Sequence, residues 1–422
     1  MEGTENIDWN AENILKISNE IFNFKENEEI DSRKFREKIE PWLTAIFQSD
    51  HLSLLVGSGL TLAVTSMADL TSMGMGRIEF DNYKETIKSW ADKEAKSLDR
   101  GEANFEDDLR TAMELLKGLK INGGENAEEL EAEINTKLSN FIGSILKTEK
   151  EFIDKNDQQS DNYLKSFLIS FASRTATRDR LNIFTTNYDR FIEYGCDSAG
   201  ILILDRFIGK IKPVFRTTRL ELDYHYNPPG IRGEPRYVEG VVRLTKIHGS
   251  IDWRFEGKNI VKSPLPFGAD KENPEIPKNP MDYVVIYPNS LKGIDTAFYP
   301  YSELFRDFSS TVCRPNSVVV TYGYGFGDSH INHILEDMLT IPSTHLVIIS
   351  YSNVGQRIQR FYECNNKAQV TLLIGNHFGD LKELVDNYLP KAAIDRITQR
   401  MQNILEKRGK TQEMRPEKLN GE

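Results

Sequence analysis

The sequence predicts an α/β fold in which a doubly wound sheet carries helical additions. Three observations lead there. Short apolar runs recur after residue 180, several of them apolar on both faces, as in parallel strands covered by helices on either side. Stretches of helical period follow those runs. The segment LSLLVGSGLT, residues 52–61, reads as strand, tight turn, helix.

The first 50 residues show apolar positions at helical spacing, Ile14, Leu15, Ile17, Ile21 and Phe22, then Phe35, Ile39, Trp42, Leu43 and Phe47. They predict a helical N-terminal flank, either packed on its own domain or offered as a docking arm. After the turn at Gly57-Ser58-Gly59 the charge density rises and a helical insertion is expected over about 82–180. Its apolar stripes include Leu109, Met113, Leu116 and Leu119, then Leu138, Phe141, Ile142, Ile145 and Leu146, with a break at 120–126 around Gly123-Gly124. Such an insertion is a cap or an oligomerisation module. Strands are predicted at 181–185, 240–247, 283–287, 317–322, 345–350 and 370–374, and helices at 190–199, 329–339, 354–365 and 380–389. Pro228-Pro229 and the proline-rich stretch 263–281 mark long loops. A main domain over 51–400 and a charged, solvated tail over 401–422 complete the expected organisation.

Composition narrows the function. The chain has 422 residues, 39% hydrophobic and 28% charged, with a formal net charge of −11. That balance suits a soluble globular protein and opposes general nucleic-acid binding across the surface. No apolar run is long enough to span a membrane and no secretory pattern stands at the acidic start, so a cytoplasmic location is expected. Cys196, Cys313 and Cys364 lie too far apart in sequence for a disulfide framework or a paired-cysteine zinc site, and are expected to be buried apolar side chains.

Open α/β sheets bind ligands at the carboxyl ends of their strands. The unusual polar clusters fall at such ends: Gly57-Ser58-Gly59, Thr185-Thr186-Asn187-Tyr188-Asp189, His248-Gly249-Ser250, Gly323 to Asp328, and Ser350-Tyr351-Ser352-Asn353. Glycines allow close approach to a phosphate, and a following helix N-terminus adds unpaired N–H groups. The glycine turn lacks a P-loop lysine, and Leu62 stands where a dinucleotide fingerprint has its third glycine. Asn187 can donate and accept at once, which suits a carboxamide, a ribose hydroxyl or a water. His248 is the expected general base. Asp189 is either a ligand group or a helix cap, and Asp328 has the same two readings. The glycines ahead of Asp328 are expected to serve close approach of a ligand. His330 and His333 are read as surface residues, for want of a third metal ligand.

With those residues in view, the chain resembles the sirtuin-like superfamily, in particular sirtuin-like domains of bacterial antiphage defence. The resemblance lies in GSG at 57–59, TTNYD at 185–189, KIHGS at 246–250 and the late YGYGFGDSHI segment, discontinuously from about 50 to 380. It implies a Rossmann-like, mostly parallel sheet with NAD as substrate at its carboxyl edge. By the same resemblance Asn187, Asp189 and His248 are catalytic. Gly57, Ser58, Gly59, Gly323 and Gly325 belong to the pyrophosphate, Ser350 to the adenosine ribose, and Thr61, Thr186 and Asp328 complete the nucleotide-binding set.

The departures matter as well. Three scattered cysteines cannot form the four-cysteine zinc site of the deacylases, and a Gly-Ile-Pro-Asp-Phe-Arg run is missing after the first loop, where 65–76 stands instead. No zinc is expected. What remains supports hydrolysis of the nicotinamide–ribose bond through an oxocarbenium-like state. The resemblance therefore implies an NAD glycohydrolase that depletes NAD during phage infection. It names as partners a HerA-type ATPase or a short Argonaute-like protein, with homo-oligomerisation expected. The competing expectations are a non-catalytic sensor of NAD or ADP-ribose and a protein deacylase or ADP-ribosyltransferase.

Overall fold

The computed structural model describes residues 6–72, 76–97, 103–174, 178–217, 222–226, 236–276, 280, 283–285 and 299–391. The chain begins with β1 (Asn13–Ile17), β2 (Glu20–Phe24), α1 (Ser32–Phe47), β3 (His51–Val56) and α2 (Gly59–Met67). The insertion follows as α3 (Lys84–Ser97), α4 (Phe105–Asn122), α5 (Ala127–Lys155) and α6 (Gln158–Ala172). Then come β4 (Asn182–Thr185), α7 (Phe191–Ser198), β5 (Leu202–Leu204), β6 (Phe207–Ile208), β7 (Val214–Phe215), β8 (His225–Tyr226) and β9 (Arg236–Tyr237). Next are β10 (Val241–Lys246), β11 (Gly249–Glu256), β12 (Asn259–Lys262) and β13 (Tyr283–Val285). The last elements are α8 (Tyr301–Val312), β14 (Ser317–Tyr322), α9 (Ser329–Leu339), β15 (His345–Ser350), α10 (Arg357–Cys364), β16 (Val370–Ile374) and α11 (Leu381–Glu383), which runs into a π-helical turn (Leu384–Tyr388) where a helix was expected over 380–389.

A nine-stranded sheet has the order β2-β1-β16-β15-β14-β3-β4-β10-β5. From β16 to β5 every pairing is parallel, and the β1–β2 hairpin joins antiparallel at one edge. Side chains alternate between two cores, as the period of a strand requires. Leu52, Leu54 and Val56 of β3 face one core with α1, α2, α6 and α7, whereas Leu55 faces the other with α8, α9 and α10. This is the doubly wound, mostly parallel sheet expected from the two-faced apolar runs.

Two expectations change. Residues 13–24 form the β1–β2 hairpin, and among the described residues of the N-terminal flank helix is confined to α1. Ile14, Ile17 and Ile21 happen to fit a helical period, but Ser18 takes a positive φ of 53° and turns the chain back. Edge pairing with β16 then buries all five residues of β1. A second sheet, β13-β11-β12-β7-β6, and the β8–β9 ribbon were also absent from the sequence reading, apart from the strand expected at 283–287 that contains β13. The two-residue strands β6 to β9 are too short to carry a period, and the eight-residue β11 is buried over its first five residues and so shows no alternation there. The Pro228-Pro229 loop and the C-terminal tail lie outside the described residues, as do parts of the proline-rich stretch.

The insertion has its own core of Phe80, Ile87, Phe105, Leu109, Leu116, Leu130, Ile134 and Leu138. It is tied to the sheet through Glu149, which accepts hydrogen bonds from the backbone and guanidinium of Arg190 just before α7. Both side chains are buried, so removing either would strand a charge in the interior.

At the opposite edge of the sheet, Thr371 Oγ1 accepts a hydrogen bond from Trp42 Nε1 at 3.1 Å and lies 2.8 Å from His345 Nε2. Burial, with Lys16 nearby, depresses His345 from 6.5 to about 4. A histidine held neutral in the fold contributes stability above its unfolded pKa and loses it as the pH falls through the folded value. Equilibrium denaturation should therefore show stability falling between about pH 6.5 and 4, by up to about 3 kcal/mol from this group. His345→Gln should flatten that part of the profile.

Candidate functional site

The chain winds outward from β3 in two directions, through β4 and β10 on one side and through β14, β15 and β16 on the other. The topological switch therefore lies between β3 and β14, where such sheets open a crevice. The ends of the strands are staggered along one edge: Gly57 N donates to Tyr322 O, Thr186 N to Val56 O, Ile247 N to Thr185 O, and Gly323 N to Ile349 O. All five polar strand ends are thereby gathered at that edge.

The loops after β3 and β14 touch backbone to backbone. Gly59 N donates to Gly323 O at 3.1 Å. A Cβ on Gly323 would stand 2.5 Å from Gly59 Cα and 2.9 Å from Leu60 N, and Gly323 has a φ of +60°. Gly57 and Gly59 are equally closed by the backbone of Gly323. This corrects the reason given for these glycines. Their close approach is to each other's loop, and the ligand space lies beside the contact. Gly325 has only Val354 Cγ1 near, at 3.6 Å, and Gly327 is crossed by Arg357, whose Nη1 would lie 2.6 Å from a Cβ.

A cleft of about 310 Å³ opens at the switch point. Of the residues singled out in the sequence, Gly57, Ser58, Thr61, Thr186, Asn187, Asp189, His248, Gly325 and Asp328 line it. Gly59 and Gly323 are not among the lining residues; their contact supports the cleft from behind. Ser350 does not line it either. It is buried at 4% exposure and its hydroxyl donates to Ser352 O at 2.8 Å.

Asn187 is held on three sides. Its backbone N–H donates to Thr185 Oγ1 at 3.0 Å, and its Nδ2 donates to Gly57 O at 3.0 Å and Thr61 Oγ1 at 3.2 Å. With both amide hydrogens engaged, Oδ1 is the end left to accept from a hydroxyl or water. Thr61 Oγ1 donates a hydrogen bond to Asp189 Oδ2 at 2.7 Å, and Asp189 Oδ1 accepts from Phe191 N at 3.2 Å. Asp189 thus stabilises the start of α7 and also faces the cleft. Burial pushes its carboxyl above the usual range, against the opposing charge of Lys246.

His248 is buried at 4% exposure, and its Nε2 lies 2.8 Å from Asp328 Oδ2. A carboxylate only accepts, so Nε2 carries the proton in this pair and Nδ1 is the basic nitrogen of the neutral ring. Asp328 Oδ1 meanwhile accepts from His330 N and Ile331 N and caps α9. The two readings of Asp328 are both realised, one on each oxygen.

The insertion supplies a wall that sequence reasoning missed. Asn104, Glu106 and Asp107 at the start of α4, and Phe141, Ser144, Ile145 and Thr148 of α5, line the same cleft. Asn104 and Asp107 form a reciprocal capping box, a signal legible in the sequence as a helix start though not as a site. Glu106 accepts from the Tyr188 hydroxyl at 3.2 Å, joining the wall to the strand end that carries Asn187. Burial, with Glu106 nearby, pushes the Tyr188 phenol well above its ordinary value, so it stays protonated. Val354 and Arg357 complete the lining after β15.

Among the described residues no cluster of three or more histidine, cysteine or acidic side chains could hold a metal, and no helix is long and apolar enough to cross a membrane. Cys196 is buried as expected, whereas Cys364 is exposed at the end of α10. A family model described as SIR2-like domain matches residues 181–370. That span, less than half of the chain, runs from the residue before β4 to the first residue of β16 and contains Asn187, Asp189, His248 and Asp328. The first glycine loop and the insertion lie outside it. No curated protein matches the chain.

Two structural outcomes are expected. Gly323→Ala places a methyl group against backbone on both sides of the loop contact, so chemical denaturation should show a loss of about 3 kcal/mol or more, combining overpacking with a positive φ. Asp328→Ala should cost about 1 kcal/mol through the lost cap, while Asp328→Asn, itself a good cap, should hold stability within about 0.5 kcal/mol. Both Asp328 variants should alter the His248 ring-nitrogen signals observed by NMR, which report which nitrogen carries the proton.

Proposed function

We propose that this chain is an NAD glycohydrolase, releasing nicotinamide and ADP-ribose, that acts as an NAD-depleting effector in bacterial antiphage defence. The observation that carries the reading is the meeting of Asn187, Asp189 and the His248–Asp328 pair in one cleft at the switch point of the sheet. The SIR2-like domain over residues 181–370 supports an enzyme that uses NAD. The insertion wall and the missing deacylase features favour water as the acceptor.

Hydrolysis needs the ribose held, positive charge tolerated and a proton accepted. Asn187 Oδ1 would orient a ribose hydroxyl or the attacking water, its amide locked by Gly57 O and Thr61. The Asp189 and Asp328 carboxylates provide negative potential as the C1′–N bond breaks and nicotinamide leaves with the bonding pair. Water then adds to C1′. Its proton passes to His248 Nδ1, directly or through a ribose hydroxyl, and Asp328 stabilises the imidazolium. The elements that would keep the cleft dry are α4 and α5. Assembly with further copies and with a separate activating subunit such as a HerA-type ATPase, in the cytoplasm, belongs to the same proposal.

Purified protein, alone and with its genomic neighbour, should convert NAD to nicotinamide and ADP-ribose, resolved by chromatography. Asn187→Ala and His248→Ala should each reduce turnover roughly a hundredfold or more, the usual weight of an acid–base or positioning group. NAD bound without turnover under every condition would replace the hydrolase with a sensor of the nucleotide.

A further inference from the structure

The KIHGS segment contributes His248 to the proposed chemistry and leaves Lys246 without a role. Lys246 is the last residue of β10 and pairs in register with Thr185 at the end of β4. Its side chain follows Val242 and Leu244 to one face of the strand, where both belong to the core shared with α7. A third apolar residue would continue that row. The chain places an ammonium there instead, at 2% exposure, and a buried charge is costly unless it is paired and hydrogen-bonded.

The partners define what the ammonium does. Lys246 Nζ donates to the main-chain carbonyl of Asp189 and lies 3.1 Å from Glu193 Oε1 on the first turn of α7. The other Glu193 oxygen, Oε2, is buried with no hydrogen-bond partner among the described residues. Asp189 is therefore gripped at two points, its carbonyl by Lys246 from β10 and its carboxylate by Thr61 Oγ1 from α2. Burial raises the Asp189 carboxyl, and the charge of Lys246 is the strongest influence against it, ahead of the hydrogen bonds from Thr61 and Phe191 N–H; Glu193 adds to the effect of burial. The other charged groups about this turn are engaged elsewhere in the same way. Glu149 of α5 pairs with Arg190, and His248 with Asp328 in the cleft lining. Behind Glu193, against the cost of burial, Asp252 of β11, Asp205 and Glu193 itself hold the Lys262 ammonium of β12 above its ordinary value. Lys246 and Glu193 thus act with opposite sign on one carboxylate.

Resting on the reading of the cleft as a hydrolase site, we propose that Lys246 is a positioning residue of the reaction: from the end of β10 it fixes the main chain at Asp189 and supplies the positive charge under which the Asp189 carboxylate faces the cleft as an anion. It touches no substrate. Its effect passes through Asp189, whose negative potential favours the oxocarbenium-like state.

Two readouts on the full chain test it. In protein carrying isotopically labelled aspartate, with the Asp189 signal assigned by its loss in Asp189→Asn, NMR follows the carboxyl titration without any need for turnover. That titration should move upward in Lys246→Met and downward in Glu193→Gln, and stay near wild type in Lys246→Arg. A lysine that merely supports the fold would not give the opposite signs. In NAD turnover at neutral pH, Lys246→Met should lower kcat about tenfold or more with KM within about threefold, as loss of one close opposite charge gives, and Lys246→Arg should restore most of it. If Lys246→Met does not fold, its combination with Glu193→Gln removes both charges, and the Asp189 titration of that double variant should lie above that of Glu193→Gln alone. An Asp189 titration unmoved by loss of the ammonium, or a kcat within about twofold of wild type, overturns the assignment. Absence of NAD turnover in wild type overturns the hydrolase reading instead, and the NMR titration still decides whether Lys246 governs Asp189.

Discussion

The contact between two backbone loops governs this molecule. Where β3 and β14 end side by side, Gly59 donates to Gly323 and neither loop has room for a side chain between them. Parallel strands must send their chains away from the sheet at the same edge, and at a switch point they leave toward opposite faces. Two loops that separate at once leave a gap whose floor is backbone. Keeping that floor tight sets the position of Gly57 O, and Gly57 O in turn fixes the Asn187 amide. The placement of one polar atom in the cleft thus descends from the packing of three glycines, of which Gly57 alone lines the cleft.

The insertion extends the same logic. It carries a core of its own, yet it is bound to the sheet by the buried Glu149–Arg190 pair and by the Tyr188–Glu106 hydrogen bond. Both tethers fall at the C-terminal end of the TTNYD segment, at Tyr188 and at Arg190 just beyond it, so the wall and the strand end are held to one another. A deacylating enzyme needs a groove for a polypeptide. Here α4 and α5 stand at the cleft, an arrangement that suits the small acceptor of the proposed hydrolysis.

Much of the sheet was legible because buried parallel strands write continuous apolar runs, and β14, β15 and β16 were placed from such runs alone. The convergence of Asn187, Asp189 and His248 in one cleft was legible for a related reason, since topology gathers polar strand ends at one edge. The β1–β2 hairpin was not, because five residues buried on both faces have no alternation and Ser18 is not a residue that announces a positive φ. Short strands such as β6 and β7 lack the length for any period. Glu106 and Arg357 were missed because each reaches the cleft from a helix start whose sequence reads as ordinary solvated surface. Only the fold brings them to the site.

Asp328 shows why motif reading and physical reading had to be joined. As a cap it satisfies two donors at the start of α9, a role that any helix can require; as a neighbour of His248 it determines which ring nitrogen is basic. The cap restricts the side chain to one orientation, and that orientation aims the second oxygen at Nε2. Local helix stability thereby pre-sets the tautomer of a group on another strand end. The histidine needs no further partner to present Nδ1 as the base. A residue whose two explanations compete in the sequence is, in the fold, one carboxylate whose structural bond makes its chemical bond possible.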